Sequence, residues 1–381
     1  MSALLRPPVR AILPFLIKDL DKKMVFLGGP RQVGKTTLAQ SLLKDYSDGH
    51  PAYFNWDDSE HRDRLRKRNW PSSERLIVFD EIHKMSQWRS WIKGIYDTKK
   101  NSYRFLVTGS ARLDHFRKGG DSLLGRYHYY RMHPFSSTEL GGTRAHTERL
   151  LKFGGFPEPL LSGDETTLRR WHLSRLQKLV RQDLRDVAEV GDLNKVELLA
   201  EALPARIGSP LSIRNLAQDL EIDPKTCKRW IELLDALYFS FRISPFGAPR
   251  IKAVKKEQKL YLWDWSQIEE EGARFENFVA SHLLKLCHHL EDTEGYKMEL
   301  RYLRDVEKRE VDFVVLKQGR PQFAVECKLS RNSVAEQMHY FKARTGIPRF
   351  YQIHLGSERR ELAPGVELLP FEEFALREKL V

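Results

Sequence analysis

The sequence predicts an α/β protein with a parallel sheet in the first part of the chain, a helical middle and a second α/β region at the end. Three observations lead to this fold class. Short apolar runs alternate with helical patterns over residues 24–140, which is typical of a parallel sheet covered by helices. A basic, mostly helical stretch follows the break at GGTRAHTE. After residue 250, an apolar helix precedes three further strand-like runs.

Composition and charge are those of a basic globular protein. Hydrophobic residues make up 41% of the chain, and Lys and Arg outnumber Asp and Glu by 64 to 52. The net charge of +12 favours a polyanionic partner, with nucleic acid the first candidate and acidic lipid the second. The three cysteines form no C-x-x-C pair, which argues against a zinc site or a disulfide framework. No run reaches membrane-spanning length and the N-terminus makes a poor secretory signal, so we expect a cytoplasmic protein without a membrane partner.

The stretch GGPRQVGKTT contains the phosphate-binding pattern G-x-x-x-x-G-K-[ST] between a strand-like run and an apolar-periodic helix. In such a loop the glycines let backbone N–H groups surround the phosphates. Lys35 is expected to reach the β- and γ-phosphates and Thr36 to bind Mg²⁺. The pattern therefore predicts a nucleoside triphosphate site formed by Gly29, Pro30, Arg31, Gln32, Val33, Gly34, Lys35, Thr36 and Thr37.

The run RLIVFDE places Asp80 and Glu81 at the end of a predicted strand, where a parallel α/β sheet exposes its ligands. We expect Asp80 to complete the Mg²⁺ shell of the nucleotide site. Glu81 is predicted to orient and polarise the attacking water. An acidic pair at a strand end is a weak signal alone, but it becomes a strong one after a phosphate-binding loop.

Three further residues are candidates for the hydrolytic machinery. The run RFLVTGS ends in Thr108 and Ser110, which could sense the γ-phosphate or simply form a turn after the strand. Arg126 follows a glycine in SLLGRYHYY. It could stabilise the transferring phosphoryl group from a neighbouring subunit, or it could be an ordinary surface residue.

Several motifs together resemble a prokaryotic AAA-type ATPase family: GGPRQVGKTT, IVFDEIHK, LVTGSARL, HPFSSTEL, FGGFPEP and LVRQDLRDV. The resemblance covers nearly the whole chain, in order and with normal spacing. It implies an ATPase core that uses ATP and Mg²⁺. It also implies a ring or other homo-oligomer, in which one subunit's arginine meets its neighbour's nucleotide. In that family the C-terminal half is a domain of unknown function, so the resemblance implies no settled biological role.

The stretch GSPLSIRNLAQDLEIDPKTCKRW has the pattern of two short helices joined by a turn, with Asp223 as the N-cap of the second. Lys225, Lys228 and Arg229 point away from the apolar face of that helix. The run LYFSFRISPF then predicts the returning strand of a winged helix, with the basic arm RIKAVKKEQK beyond it. We expect these three residues to contact DNA phosphates without sequence choice, because no Asn or Gln shares their face. The alternative is a rigid lid on an ATPase ring.

Charged residues stand inside strand-like runs near the end of the chain. EVDFVVL contains Asp312, and QFAVECKL contains Glu326 and Lys328 two positions apart, on the same side of a strand. Because isolated charge is unfavourable to bury, these runs predict a Mg²⁺ ion between Asp312 and Glu326, with Lys328 positioning or polarising a water. Glu276 on the preceding apolar helix could complete the carboxylate shell, and Cys327 is predicted to be a core residue.

The order of these residues resembles the restriction-endonuclease-like fold with its D…E-x-K signature. The resemblance implies metal-assisted phosphodiester hydrolysis with Asp312, Glu326 and Lys328 as catalytic residues, or a binding platform derived from such a nuclease.

We therefore expect a fold class of α/β P-loop NTPase, followed by a helical and winged-helix segment and an α/β restriction-endonuclease-like domain. The expected domains are the ATPase at 1–143, a helical lid or linker at 144–205, the winged helix at 206–250 and the nuclease-like domain at 251–381. The leading hypothesis is ATP-driven action on DNA, as a motor, helicase or remodeller of branched DNA, with metal-dependent cleavage as a further activity. The alternative is a nucleotide-dependent switch with protein partners and an inactive nuclease-like domain. A plain nuclease with a vestigial ATPase is disfavoured by the complete nucleotide motifs.

Overall fold

The computed structural model describes residues 8–44, 49–68, 70–109, 123–184, 191–247, 257–329 and 336–381. Two compact units emerge from it. The N-terminal unit covers residues 9–134, and the C-terminal unit covers residues 135–381 together with Pro8. Ser110, a candidate sensor of the γ-phosphate, lies outside the described residues. Within the described ranges, no helix combines the length and the apolar character that a membrane span requires.

The N-terminal unit contains the predicted parallel sheet, with strand order β2-β3-β4-β1-β5. All of its pairings are parallel, and β1, β3 and β4 are almost completely buried, which explains why they are continuous apolar runs in the sequence. The strands are β1 Met24–Gly28, β2 Tyr53–Asn55, β3 Leu76–Asp80, β4 Arg104–Thr108 and β5 Tyr127–Arg131. The α-helices are α1 Leu13–Leu20, α2 Lys35–Gln40, α3 Ser59–Arg66 and α4 Trp88–Lys99.

The first part of the C-terminal unit is helical. Most of these helices begin behind a Thr, Asp or Ser whose side chain accepts a hydrogen bond from a backbone N–H of the first turn, so the local sequence fixes where they start. The helices are α5 Arg144–Phe153, α6 Pro157–Ser162, α7 Glu165–Lys178, α8 Leu193–Ala202, α9 Ile213–Asp219 and α10 Pro224–Ala236. A π-helical turn continues α7 from Leu179 to Asp183.

The rest of this unit is a mixed sheet in the order β12-β13-β11-β10-β9-β8-β6-β7. Its central strands β8, β9 and β10 are antiparallel, and β11 then pairs parallel to β10. The strands are β6 Ser240–Pro245, β7 Lys259–Leu262, β8 Met298–Arg304, β9 Glu310–Lys317, β10 Arg320–Cys327, β11 Phe350–His354, β12 Arg360–Ala363 and β13 Val366–Pro370. The helices are α11 Glu271–Glu294, α12 Glu336–Arg344 and α13 Phe371–Arg377. The runs MELRYLR, VDFVVL and QFAVECKL, which the sequence analysis assigned to strands, lie in β8, β9 and β10.

Candidate functional site

The loop between β1 and α2 has a backbone that only glycine adopts easily. Gly29 has a φ of +139° and Gly34 a φ of +98°, both in the left-handed region. A Cβ on Gly28 would collide with the Tyr129 ring, and one on Gly29 would collide with the Met132 carbonyl. The chain at and after β5 therefore packs directly against the loop and leaves no room for side chains at these glycines.

Lys35 begins α2 and is only 7% exposed. Its Nζ donates to the carbonyl oxygens of Gly29 at 3.0 Å and Pro30 at 2.6 Å, so the ammonium lies against the inner side of its own loop. Arg10 supports the loop from outside, donating to the carbonyl oxygen of Val33 at 2.6 Å. Sequence reasoning missed Arg10, because the N-terminal segment around it carries no motif.

Asp80 ends β3 and is buried, and three hydroxyl groups donate to its carboxylate. Thr36 Oγ1 and the Tyr53 hydroxyl each lie 2.8 Å from Asp80 Oδ2, and Thr108 donates to Oδ1. The strand register explains this meeting, because Asp80 is the cross-strand neighbour of Asn55 on β2 and of Thr108 on β4. Sequence reasoning missed Tyr53.

The Thr36 and Asp80 side chains are a suitable donor set for Mg²⁺. The ion prefers oxygen ligands and is usually held by one or two protein groups together with substrate phosphates. Thr36 Oγ1 and Asp80 Oδ2 are adjacent oxygens beside the phosphate-binding loop. The residues at this site therefore fit the predicted ion, which would neutralise phosphate charge when nucleotide is bound.

Glu81 follows directly, in a left-handed conformation with φ +56° that is uncommon for a residue with a side chain. Its Oε2 lies 3.5 Å from both His83 Nε2 and Lys84 Nζ. Burial and the neighbouring Asp80 carboxylate raise the pKa of Glu81, and Lys84 and Lys35 only partly oppose this. A raised pKa brings a carboxylate closer to the range in which it accepts a proton efficiently.

Arg126 begins the segment that leads into β5 and forms an ion pair with Asp97 on α4, with 2.8 Å between Nε and Oδ1. Its predicted role concerns the nucleotide of a neighbouring subunit, and therefore stays a prediction.

In the C-terminal unit, the structure brings the predicted residues Glu276, Asp312, Glu326 and Lys328 into one cluster. Asp312 Oδ2 accepts from the backbone N–H of Cys327 at 2.8 Å, and Lys328 Nζ lies 2.8 Å from Glu326 Oε1. Burial and then the Asp312 carboxylate raise the pKa values of Glu276 and Glu326.

A buried lysine that sequence reasoning missed lies in the same cluster. Lys259 begins β7, its side chain is 0% exposed, and its Nζ contacts three carboxylates. The distances are 2.5 Å to Glu310 Oε1, 3.2 Å to Glu276 Oε1 and 3.5 Å to Asp312 Oδ1. The sequence placed Lys259 in the basic arm RIKAVKKEQK, whose other lysines hid it. The signal that could have found it is Glu310, which shares a strand side with Asp312 at i, i+2.

The cluster does not fit the predicted Mg²⁺ ion, because the Lys259 ammonium lies between Glu276 and Asp312, where that ion would bind. Over the described ranges, no group of three His, Cys, Asp or Glu side chains has the arrangement to hold a metal. A cleft of about 500 Å³ opens beside the cluster, with Glu276, Cys327 and Lys328 on one side and the segment around Gly208 on the other.

The two-helix pattern before the cluster has the expected polarity. Asp223 caps α10, whose buried residues include Cys227 and Trp230. Lys225, Lys228 and Arg229 are exposed on its other side. The antiparallel pair β6–β7 follows α10, and the backbone N–H of Leu211 before α9 donates to the carbonyl of Gln258 before β7. Residues 248–256 of the basic arm lie outside the described residues.

Comparisons with known proteins divide the chain in a similar way. Residues 21–141 match a family model described as an AAA domain. Residues 144–267 and 271–374 match two models that are each described as a domain of unknown function, DUF8612 and DUF4143. The AAA match and the loop geometry together support an α/β P-loop ATPase of the AAA type.

Similar proteins occur in bacteria and archaea. The chain is 23% identical to the uncharacterized protein Rv2008c of Mycobacterium tuberculosis over 370 residues, which cover 92% of this chain and 80% of that protein. It is 23% identical to the uncharacterized protein MJ1637 of Methanocaldococcus jannaschii over 398 residues, with coverages of 87% and 81%. The Holliday junction branch migration motor RuvB of Thermotoga maritima is similar with a TM-score of 0.29 and 18% identity, covering 60% of this chain and 87% of that chain. A TM-score this low carries no argument.

Proposed function

We propose that this protein is an AAA-type ATPase that acts on DNA through its C-terminal unit. The observation that carries the proposal is the amphipathic helix α10, which buries Cys227 and Trp230 and leaves Lys225, Lys228 and Arg229 exposed. An exposed row of basic side chains on a capped helix binds phosphates regardless of base sequence. The net charge of +12 supports the same type of partner.

The surrounding elements support a winged helix in this segment. Helices α8, α9 and α10 are followed by the antiparallel pair β6–β7, and the segment before α9 pairs with the start of β7 through Pro210 and Lys259. In helix-turn-helix proteins the second helix enters the major groove, which is the position of α10 in this order.

The succession α11-β8-β9-β10-α12-β11, with Asp312 on β9 and Glu326 on β10, supports a nuclease-like assignment for the last part of the chain. Metal-dependent cleavage by Asp312, Glu326 and Lys328 stays a prediction from the sequence. It is not part of the proposed function, because Lys259 lies among the carboxylates that the metal needs. We therefore assign this domain the role of a binding platform.

The test is the steady-state rate of ATP hydrolysis at low salt without DNA, with single strands, with duplex and with a four-way junction. We expect at least one form of DNA to stimulate hydrolysis, and Lys35→Ala to abolish it because the phosphates lose their ammonium. The triple variant K225A/K228A/R229A should lose the stimulation, since each lost phosphate contact lowers the log–log salt dependence of DNA binding by about 0.9.

The control is K297A/R320A/R359A, which removes the same charge from exposed positions elsewhere in the C-terminal unit and should keep the stimulation. A rate that no form of DNA changes would overturn the proposal and favour the alternative, a nucleotide-dependent switch with a protein partner.

We further propose that the chain forms a homo-oligomer in which Arg126 reaches the nucleotide of a neighbouring subunit. The AAA match supports this arrangement. Loss of an arginine supplied in trans lowers phosphoryl-transfer rates by about 10³–10⁵. Arg126→Ala and Lys35→Ala proteins should therefore be inactive alone and partly active when mixed, because a Lys35→Ala subunit still supplies its arginine. Asp97→Ala is the control, since it removes only the ion-pair partner of Arg126 and should keep the rate. Full activity of Arg126→Ala alone would contradict the shared site.

A further inference from the structure

Lys259 is a buried ammonium whose environment is complete. Its side chain is 0% exposed and contacts Glu276, Glu310 and Asp312. Burial of a charge is tolerated only when opposite charges and hydrogen bonds replace the lost water. Here three carboxylates supply both, from helix α11 and strand β9.

The carboxylates around Lys259 also have second donors. Glu276 Oε1 accepts from the Tyr261 hydroxyl at 2.7 Å, and Glu310 Oε2 lies 3.3 Å from Arg304 Nη1. As noted above, Asp312 Oδ2 already accepts from the Cys327 backbone. A divalent ion in a protein site needs several carboxylate or carbonyl oxygens free to turn toward it. In this cluster those oxygens already serve nitrogen and hydroxyl donors.

The backbone of Lys259 belongs to a different part of the unit from its side-chain partners. It pairs with Ile243 on β6 and with Pro210 in the segment before α9. The hairpin joins the mixed sheet through only two β6–β8 pairs, Ser244 with Arg301 and Pro245 with Tyr302. The Lys259 side chain therefore adds a charged link between this hairpin and α11 and β9.

We propose that Lys259 is the resident cation of the C-terminal carboxylate cluster, and that the cluster fastens the hairpin to the nuclease-like sheet instead of binding a divalent metal. The ammonium provides the positive charge that a metal provides in related arrangements of carboxylates. The inference concerns charge balance within the C-terminal unit, and it is independent of whether DNA stimulates hydrolysis.

The test is Mn²⁺ titration of the full chain without nucleotide, followed by the electron paramagnetic resonance signal of free Mn²⁺. Wild type and Asp312→Asn should bind the same amount of Mn²⁺, because the cluster contributes no site. Asp80→Asn is the control that reports any Mn²⁺ held at the phosphate-binding loop. One Mn²⁺ per wild-type chain that is lost in Asp312→Asn but kept in Asp80→Asn would overturn the proposal.

Lys259→Gln provides the second arm. Without the ammonium, the carboxylates repel one another, so we expect a lower Tm in metal-free buffer that millimolar Mn²⁺ partly restores. The variant should also gain a Mn²⁺ site that the added Asp312→Asn substitution removes. A Lys259→Gln protein with wild-type Tm and no added Mn²⁺ site would contradict the inference. If this variant does not fold, the wild-type titration still decides between the two outcomes.

Discussion

Asp80 and Asp312 are buried aspartates on strands of two different sheets, and they differ in what surrounds them. Asp80 accepts hydrogen bonds from the hydroxyls of Thr36, Tyr53 and Thr108, which are neutral. Asp312 faces the ammonium of Lys259. Neutral donors satisfy the oxygens of a carboxylate but leave its charge to attract a cation, whereas an ammonium cancels that charge. The same residue type therefore indicates a metal ligand in one unit and a structural ion pair in the other.

The largest expected effect comes from exchanging each aspartate for asparagine. Asp80→Asn should lower the rate of ATP hydrolysis by about 100-fold or more, since the Mg²⁺ shell loses its charged ligand. Asp312→Asn should leave that rate unchanged. It should instead lower the free energy of unfolding by about 1.5–3 kcal/mol, because Lys259 loses one of its charged partners. The measurements are steady-state hydrolysis and urea unfolding on both variants.

Each aspartate variant is the control for the other, because both substitutions remove one negative charge without changing side-chain size. The comparison would be wrong if Asp312→Asn reduced hydrolysis as strongly as Asp80→Asn does. It would also be wrong if Asp312→Asn had no effect on unfolding, since Lys259 would then need no compensation from that carboxylate.

Most of the nucleotide site could be predicted because its residues lie within short contiguous motifs. The spacing of Gly29, Gly34 and Lys35 specifies the loop conformation, and the apolar run before Asp80 specifies its strand. Tyr53 could not be found in this way. Its contact with Asp80 depends on the register between β2 and β3, which only the folded sheet defines.

The C-terminal cluster was predictable in its carboxylates but not in its cation. Asp312 and Glu326 are conspicuous because they interrupt apolar strands. Lys259 is inconspicuous, because one lysine in a basic run reads as solvated and nothing local shows that its side chain is buried. The contact joins residues that are 17 to 53 positions apart, so it arises from the tertiary fold alone.

The smallest expected effect sharpens the comparison with a pair of tyrosines. Tyr53 donates to Asp80 at 2.8 Å, and Tyr261 donates to Glu276 at 2.7 Å. Tyr53→Phe removes one neutral donor and leaves Thr36 and Thr108 on Asp80, so hydrolysis should fall roughly fivefold, as expected for a hydrogen bond of about 1 kcal/mol. Tyr261→Phe should leave hydrolysis unchanged and lower the free energy of unfolding by about 1 kcal/mol, because Glu276 keeps Lys259 as a partner. Both changes remove a single hydroxyl from a buried ring, so any difference in rate reflects the carboxylate that each one serves. Equal losses of hydrolysis in the two variants would mean that the C-terminal cluster acts on the nucleotide site, and the division between a metal-binding and a lysine-neutralised aspartate would fail.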